Sequence, residues 1–170
     1  MILIGSAAAA AGGFLPPWRG GVVRDLDIVC EPEEILDLAR LTGFTLHQIF
    51  PDKYLVTDTP KVIELSVYPA AAVEAIEALC GVGDVSLAAE ISIECHVAPL
   101  EVVWATLVET VGCFPVPREK STRDLEHYQS LVDARGGVTS AHLQIADFYR
   151  RRTIAQLRGA AGADPNPAEE

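Results

Sequence analysis

The 170-residue chain is 49% hydrophobic and carries a formal net charge of -11. That is enough apolar material for a packed core, and it excludes a largely disordered polymer. So negative a surface repels phosphate backbones and excludes a broad nucleic-acid interface, although one nucleotide is admissible where a bound cation neutralises its phosphates.

Ile2-Leu3-Ile4 reads as a short buried strand ended by Gly5-Ser6, with a brief helix from Ala7 to Ala11 that Gly12-Gly13 stop. No Lys or Arg precedes this apolar opening, and glycines interrupt it, which argues against a signal peptide. Residues 14–21 carry Pro-Pro and Gly-Gly and read as a loop. Val22 to Cys30 returns to strand character. Pro32, Glu33 and Glu34 then open a helix that Gly43 closes. Thr45 to Phe50, Lys53 to Thr57 and Val62 to Tyr68 form an expected antiparallel meander, with Pro51-Asp52 and Asp58-Thr59-Pro60 at its turns.

Pro69 starts a further helix expected to reach Gly81. Val85 to Cys95 gives mixed signals, because its Ile91 to Cys95 alternation favours strand and the preceding alanines favour helix. Helices are expected from Pro99 to Gly112, from Glu119 to Ala134 and from Ser140 to Arg158. The expected class is therefore α+β, a small mixed or antiparallel sheet with flanking helices. The division is a core over residues 1–97, a helical region over 98–158 packed on it, and a disordered tail over 159–170. No segment is apolar for long enough to span a membrane. Cys30, Cys80, Cys95 and Cys113 contain no C-x-x-C pair, so buried free thiols in a cytoplasmic protein are expected rather than a zinc site or disulfide framework.

Asp25-Leu26-Asp27 is the most informative triplet. Residues two apart on a strand share a face, so both carboxylates leave the sheet together while Leu26 and Ile28 point to the core. Their repulsion is relieved by a divalent cation, Mg²⁺ or Mn²⁺, that also grips phosphates. The plainer reading has them facing water or meeting Arg24 and Arg19. Alternation also places Glu64 on one face with Val62 and Ser66, either as a third carboxylate or as an ordinary solvent-facing residue. Gly5 permits close backbone approach to an anion, and Ser6 and the helix start offer it donors.

Strand, Gly-Ser turn, short helix, loop and D-x-D strand together resemble the nucleotidyltransferase fold of the DNA polymerase β-like superfamily. The opening Met1 to Ser6, the long interval before Arg24 to Asp27, and Phe114-Pro115 followed by Lys120, Arg123, Asp124 and His127 are similar to small nucleotidyltransferase-like proteins of bacteriophages. The resemblance implies that Gly5 and Ser6 contact the phosphates of a nucleoside triphosphate. It also implies that Asp25, Asp27 and Glu64 are catalytic metal ligands, and that a nucleotide is transferred to a hydroxyl acceptor in the cytoplasm, the host's for a phage protein. Members commonly carry arginine directly after Gly-Ser, where this chain has Ala7. The alternative is a catalytically degenerate nucleotide-binding or protein-interaction module of the same fold.

Lys120, Arg123, Asp124 and His127 share one helix face. Either Lys120 and Arg123 reach phosphate oxygens and His127 an acceptor hydroxyl, or the face is solvated and internally paired. Arg150-Arg151-Arg152 is expected to pair with nearby acids. Trp18 either stacks on a base or caps the core.

Overall fold

The computed structural model describes residues 1–162. Strands β1 (Ile2–Ile4), β2 (Asp25–Cys30), β3 (His47–Phe50), β4 (Lys53–Val56), β5 (Val62–Val67), β6 (Gly81–Ala88) and β7 (Ile91–Val97) form one sheet in the order β3-β4-β5-β2-β1-β7-β6. β2 runs parallel to β5, and β1 parallel to β7. The remaining pairs are antiparallel, so the sheet is mixed. With helices α1 (Gly5–Ala11), α2 (Pro32–Thr42), α3 (Ala70–Glu77), α4 (Leu100–Gly112), α5 (Glu119–Ala134) and α6 (Ser140–Gly162), the class is α+β. No helix among the described residues is long and apolar enough to cross a membrane.

Local chemistry fixes several of these elements. Pro32 occupies the first turn of α2, and the Glu34 carboxylate accepts the Glu31 N–H at 2.8 Å in a capping box. Gly43 (φ 71°) ends the helix in the left-handed conformation that a side chain would disfavour. In β2 and β5, the core face carries Leu26, Ile28, Ile63 and Leu65, all buried, while Asp25, Asp27 and Glu64 take the alternate positions. Beyond Asp27 that second face also turns apolar, at the fully buried Val29. α4 buries Leu100, Val102 and Val103 and packs against α1, α5 and α6.

Several boundaries differ from the sequence pattern. β2 begins at Asp25 rather than Val22, after a single 3-10 turn over Pro17–Arg19. α1 begins at Gly5 itself. α3 stops at Glu77, and Gly81, expected to close that helix, is instead the first residue of β6. The ambiguous stretch belongs to the β6–β7 hairpin. Val85 and Leu87 are buried on one face of β6, and pairing with β7 outweighs the helix preference of Ala88 and Ala89. α6 continues past Arg158 to Gly162, so positions 159–162 of the expected disordered tail are helical, and the expectation for 163–170 lies outside the described residues. All four cysteines are free, but only Cys30 and Cys95 are buried, whereas Cys80 and Cys113 are half-exposed.

Ile63 is fully buried where β5 meets β2 and β4. Ile63→Ala is expected to lower unfolding free energy by about 2–5 kcal/mol, from lost burial plus the cavity left behind, read from urea midpoints.

Candidate functional site

The site is organised by the register of β2. Asp27 lies opposite Ile4 on one side and Glu64 on the other, and Asp25 sits two residues along the same face. Gly5 (φ 64°) follows Ile4 so closely that a Cβ built on it would stand 2.5 Å from Asp27 Oδ2. Only glycine lets the chain turn into α1 over that carboxylate. The Ser6 hydroxyl lies 3.5 Å from Asp25 Oδ1 and donates towards it.

Electrostatics follow from this crowding. Burial pushes the Asp27 carboxyl up to about 7, reinforced by the charges of Glu64 and Asp25 and opposed by Lys53. Glu64 is met by Lys53, whose Nζ stands 2.5 Å from Oε1. Among the described residues, no three carboxylate, imidazole or thiol groups converge as a ready-made metal cage. Two carboxylates nevertheless fit Mg²⁺, which is usually held by one or two such groups with waters and substrate phosphates completing the shell. The raised Asp27 carboxyl, admitted beside the backbone by Gly5, and its neighbour Asp25 line a cavity that suits a cation.

Asp25, Asp27, Gly5 and Ser6 form one wall of a cavity of about 220 Å³, and Arg19, Arg118 and Lys120 also line it. Arg118 and Lys120 are exposed and have no ion-pair partner among the described residues. Arg19 is held differently. Its guanidinium forks onto the Asp124 carboxylate, with Nε 3.2 Å from Oδ1, and the Trp18 indole N–H donates to the same oxygen at 3.1 Å. Asp124 is only 3% exposed, so the reading of this helix face as solvated is corrected at Asp124, whereas Lys120 and Arg123 are exposed. Asp124 turns inward to clasp the segment before β2 onto α5.

Arg123 is drawn away from the cavity, its guanidinium stacked 4.9 Å above the Trp18 ring, and His127 meets the same ring edge-on at 5.3 Å. Trp18 is 44% exposed, so it clamps this segment against α5 rather than capping the core. Arg150 and Arg151 pair with Asp147, and Arg152 pairs with Asp52 beneath the Tyr68 ring. Sequence reasoning missed Arg118 and Lys53 and gave Arg19 only a pairing role. Arg118 directly precedes α5, where it could have been grouped with Lys120.

A second cavity of about 290 Å³ adjoins the first at Asp27 and is also lined by Glu64, Lys53, Tyr149 and Arg152. Gly5 and Asp27 line both spaces.

No protein-family model matches the chain, and no curated protein does. Among solved structures, the solution structure of the antibiotic-resistance factor ANT(2'')-Ia aligns with 94% of this chain and 86% of its own length. The identity is 15% and the TM-score 0.49. A likeness that distant assigns neither family nor activity.

Two outcomes are expected. In metal-free protein, the folded chain holds the Asp27 proton more tightly than the unfolded chain, whose carboxyl titrates near the ordinary value of 3.8. Stability should therefore fall as pH rises from about 4 to about 7, by at most about 4 kcal/mol, and vary little above that. Asp27→Asn should flatten this slope and stabilise the protein at pH 8, measured by urea midpoints in EDTA. Asp124→Asn leaves the half-buried Arg19 guanidinium without its counter-charge. A loss of about 1.5–3 kcal/mol is expected, the range for a hydrogen bond to a charged group, with faster proteolysis between residues 12 and 24.

Proposed function

We propose that the chain is a Mg²⁺-dependent nucleotidyltransferase, moving a nucleoside monophosphate from a nucleoside triphosphate to a hydroxyl acceptor. One observation carries this reading: the Asp25 and Asp27 carboxylates share a single small cavity with Arg118 and Lys120, around the Gly5-Ser6 turn. Carboxylates alone would suit a free cation, and cations alone a free anion. Both together suit a metal-bound polyphosphate.

Asp25 and Asp27 would hold Mg²⁺ or Mn²⁺, with Glu64 available if Lys53 releases it. When bound, the cation supplies charge neutralisation for the phosphates and for the adjoining carboxylates. Ser6 offers its hydroxyl to a phosphate oxygen, and Arg118 and Lys120 provide the charge that family members commonly draw from an arginine at the position of Ala7. The acceptor oxygen forms a bond to the α-phosphorus, the bond from that phosphorus to the bridging oxygen breaks, and pyrophosphate leaves with the bonding pair. The hydroxyl proton passes to solvent. Such transfers depend chiefly on positioning and electrostatic stabilisation, which this cavity provides without a covalent protein intermediate. Nucleotidyltransferase-like architecture of the kind that the Gly-Ser and D-x-D pieces resemble, including the bacteriophage proteins, belongs to the same proposal.

A second reading has its own observation. The Lys53–Glu64 ion pair occupies the third carboxylate, as expected of a module that binds nucleotide without transferring it. Titration calorimetry of ATP and GTP with Mg²⁺, coupled to a pyrophosphate assay, separates the two. The enzyme predicts metal-dependent binding abolished in Asp25→Ala/Asp27→Ala, weakened about tenfold or more in Lys120→Gln, and accompanied by pyrophosphate release once an acceptor is supplied. Binding with no release under any acceptor supports the module. No binding at all refutes both.

A further inference from the structure

The segment between α4 and α5 exposes two apolar side chains, Phe114 at 41% and Val116 at 86%. Beside them lies a cavity of about 480 Å³, larger than either space at the carboxylates, whose walls are mainly carbon: Leu107, Val111, Phe114, Val116 and Pro117. An exposed apolar recess is costly in water and marks a surface that a ligand covers. The recess is not isolated. Leu107, Arg118 and Ser121 line both it and the cavity containing Asp25, Asp27 and Lys120. A single ligand can therefore extend from a charged chamber into an apolar one, passing Arg118 at the junction.

The geometry points to this recess as the subsite for the base of the bound nucleotide, with Phe114 as its aromatic contact and Arg118 at the boundary between base and phosphates. The inference rests on the nucleotide reading above and adds where the base goes and how it is selected. Phosphate oxygens match Arg118 and Lys120, while a flat heteroaromatic ring matches Phe114, Val116 and Pro117. Apart from Arg118 at the junction, the side chains lining the recess offer only the hydroxyls of Thr110 and Ser121 for hydrogen bonding, and Thr110 already donates to the Thr106 carbonyl at 2.8 Å. An apolar recess with so few polar groups discriminates weakly between rings, so purine and pyrimidine nucleotides should both bind.

The test is calorimetric titration of the full chain with Mg²⁺ and four ligands: ATP, GTP, UTP and inorganic triphosphate. The nucleotides are expected to bind about tenfold to a hundredfold more tightly than triphosphate, and to differ from one another by less than about a hundredfold. Phe114→Ala should bring ATP down to the triphosphate level and leave triphosphate itself unchanged. Val116→Asp, at a position too exposed to affect folding, should weaken ATP more than triphosphate. The inference is overturned if ATP binds no more tightly than triphosphate, if both variants leave ATP binding intact, or if one base is preferred more than about a hundredfold. In each of those cases triphosphate binding leaves the polyphosphate site standing. Absence of binding by every ligand overturns this inference together with the reading beneath it.

Discussion

Three carboxylates on one face of two adjoining strands are an arrangement a folded chain does not hold for stability. Asp27 lies directly across from Glu64 and two residues from Asp25. Burial and these like charges raise its carboxyl to about 7. A chain selected only for stability would place Thr or Val at position 27 and gain both burial and pairing. The carboxyl persists beside a glycine whose missing side chain leaves room for it, and the Lys53–Glu64 pair relieves only part of the repulsion. Around that constraint the remaining features acquire a reason. A left-handed glycine follows β1, a serine hydroxyl faces Asp25, and Arg118 and Lys120, without ion-pair partners among the described residues, stand at the start of α5.

The same constraint explains why the segment between α1 and β2 is anchored so firmly. Residues 12–24 contain four glycines and two prolines and have no strand partner. Left free, they would sample many conformations across the mouth of the carboxylate cavity. A buried Asp124, receiving both Arg19 and the Trp18 indole, fixes them to α5, and Arg123 stacked on Trp18 adds a cation–π contact. The clasp defines one wall of the cavity. It also neutralises Arg19 locally, leaving Arg118 and Lys120 as the cavity's cations without an ion-pair partner among the described residues.

How far the sequence discloses this arrangement depends on the range of the interaction. The shared face of Asp25 and Asp27 is legible because the period of a strand is local, and alternation alone puts Glu64 on the polar face of β5. That Glu64 lies opposite Asp27 is not legible, since it follows from a parallel pairing of strands more than thirty residues apart. Nor is the burial of Asp124, which on helical spacing shares a face with Lys120 and Arg123 and only the distant Trp18 and Arg19 distinguish. The β6–β7 hairpin was ambiguous for a related reason. Its turn lacks the Asn-Gly type of signal, and Gly81, Gly83 and Ala88 acquire strand geometry by pairing with β7, which is itself docked on β1 more than ninety residues earlier in the chain.

The placement of Asp27 between two cavities bears on what the proposed reaction can accept. Gly5 and Asp27 line both the chamber with Arg118 and Lys120 and the space of about 290 Å³ towards Glu64. Under the proposed reaction, a triphosphate in the first would leave the adjoining second space for the acceptor. That second space is of small-molecule or single-side-chain size. Its two cations each meet a carboxylate, Lys53 that of Glu64 and Arg152, through one nitrogen, that of the adjacent Asp52. A polyanionic nucleic-acid strand gains little from cations already neutralised in this way, and the overall charge of -11 opposes its approach. Charge and volume together therefore favour a small hydroxylated acceptor, or one protruding hydroxyl of a protein partner, over a nucleic-acid end.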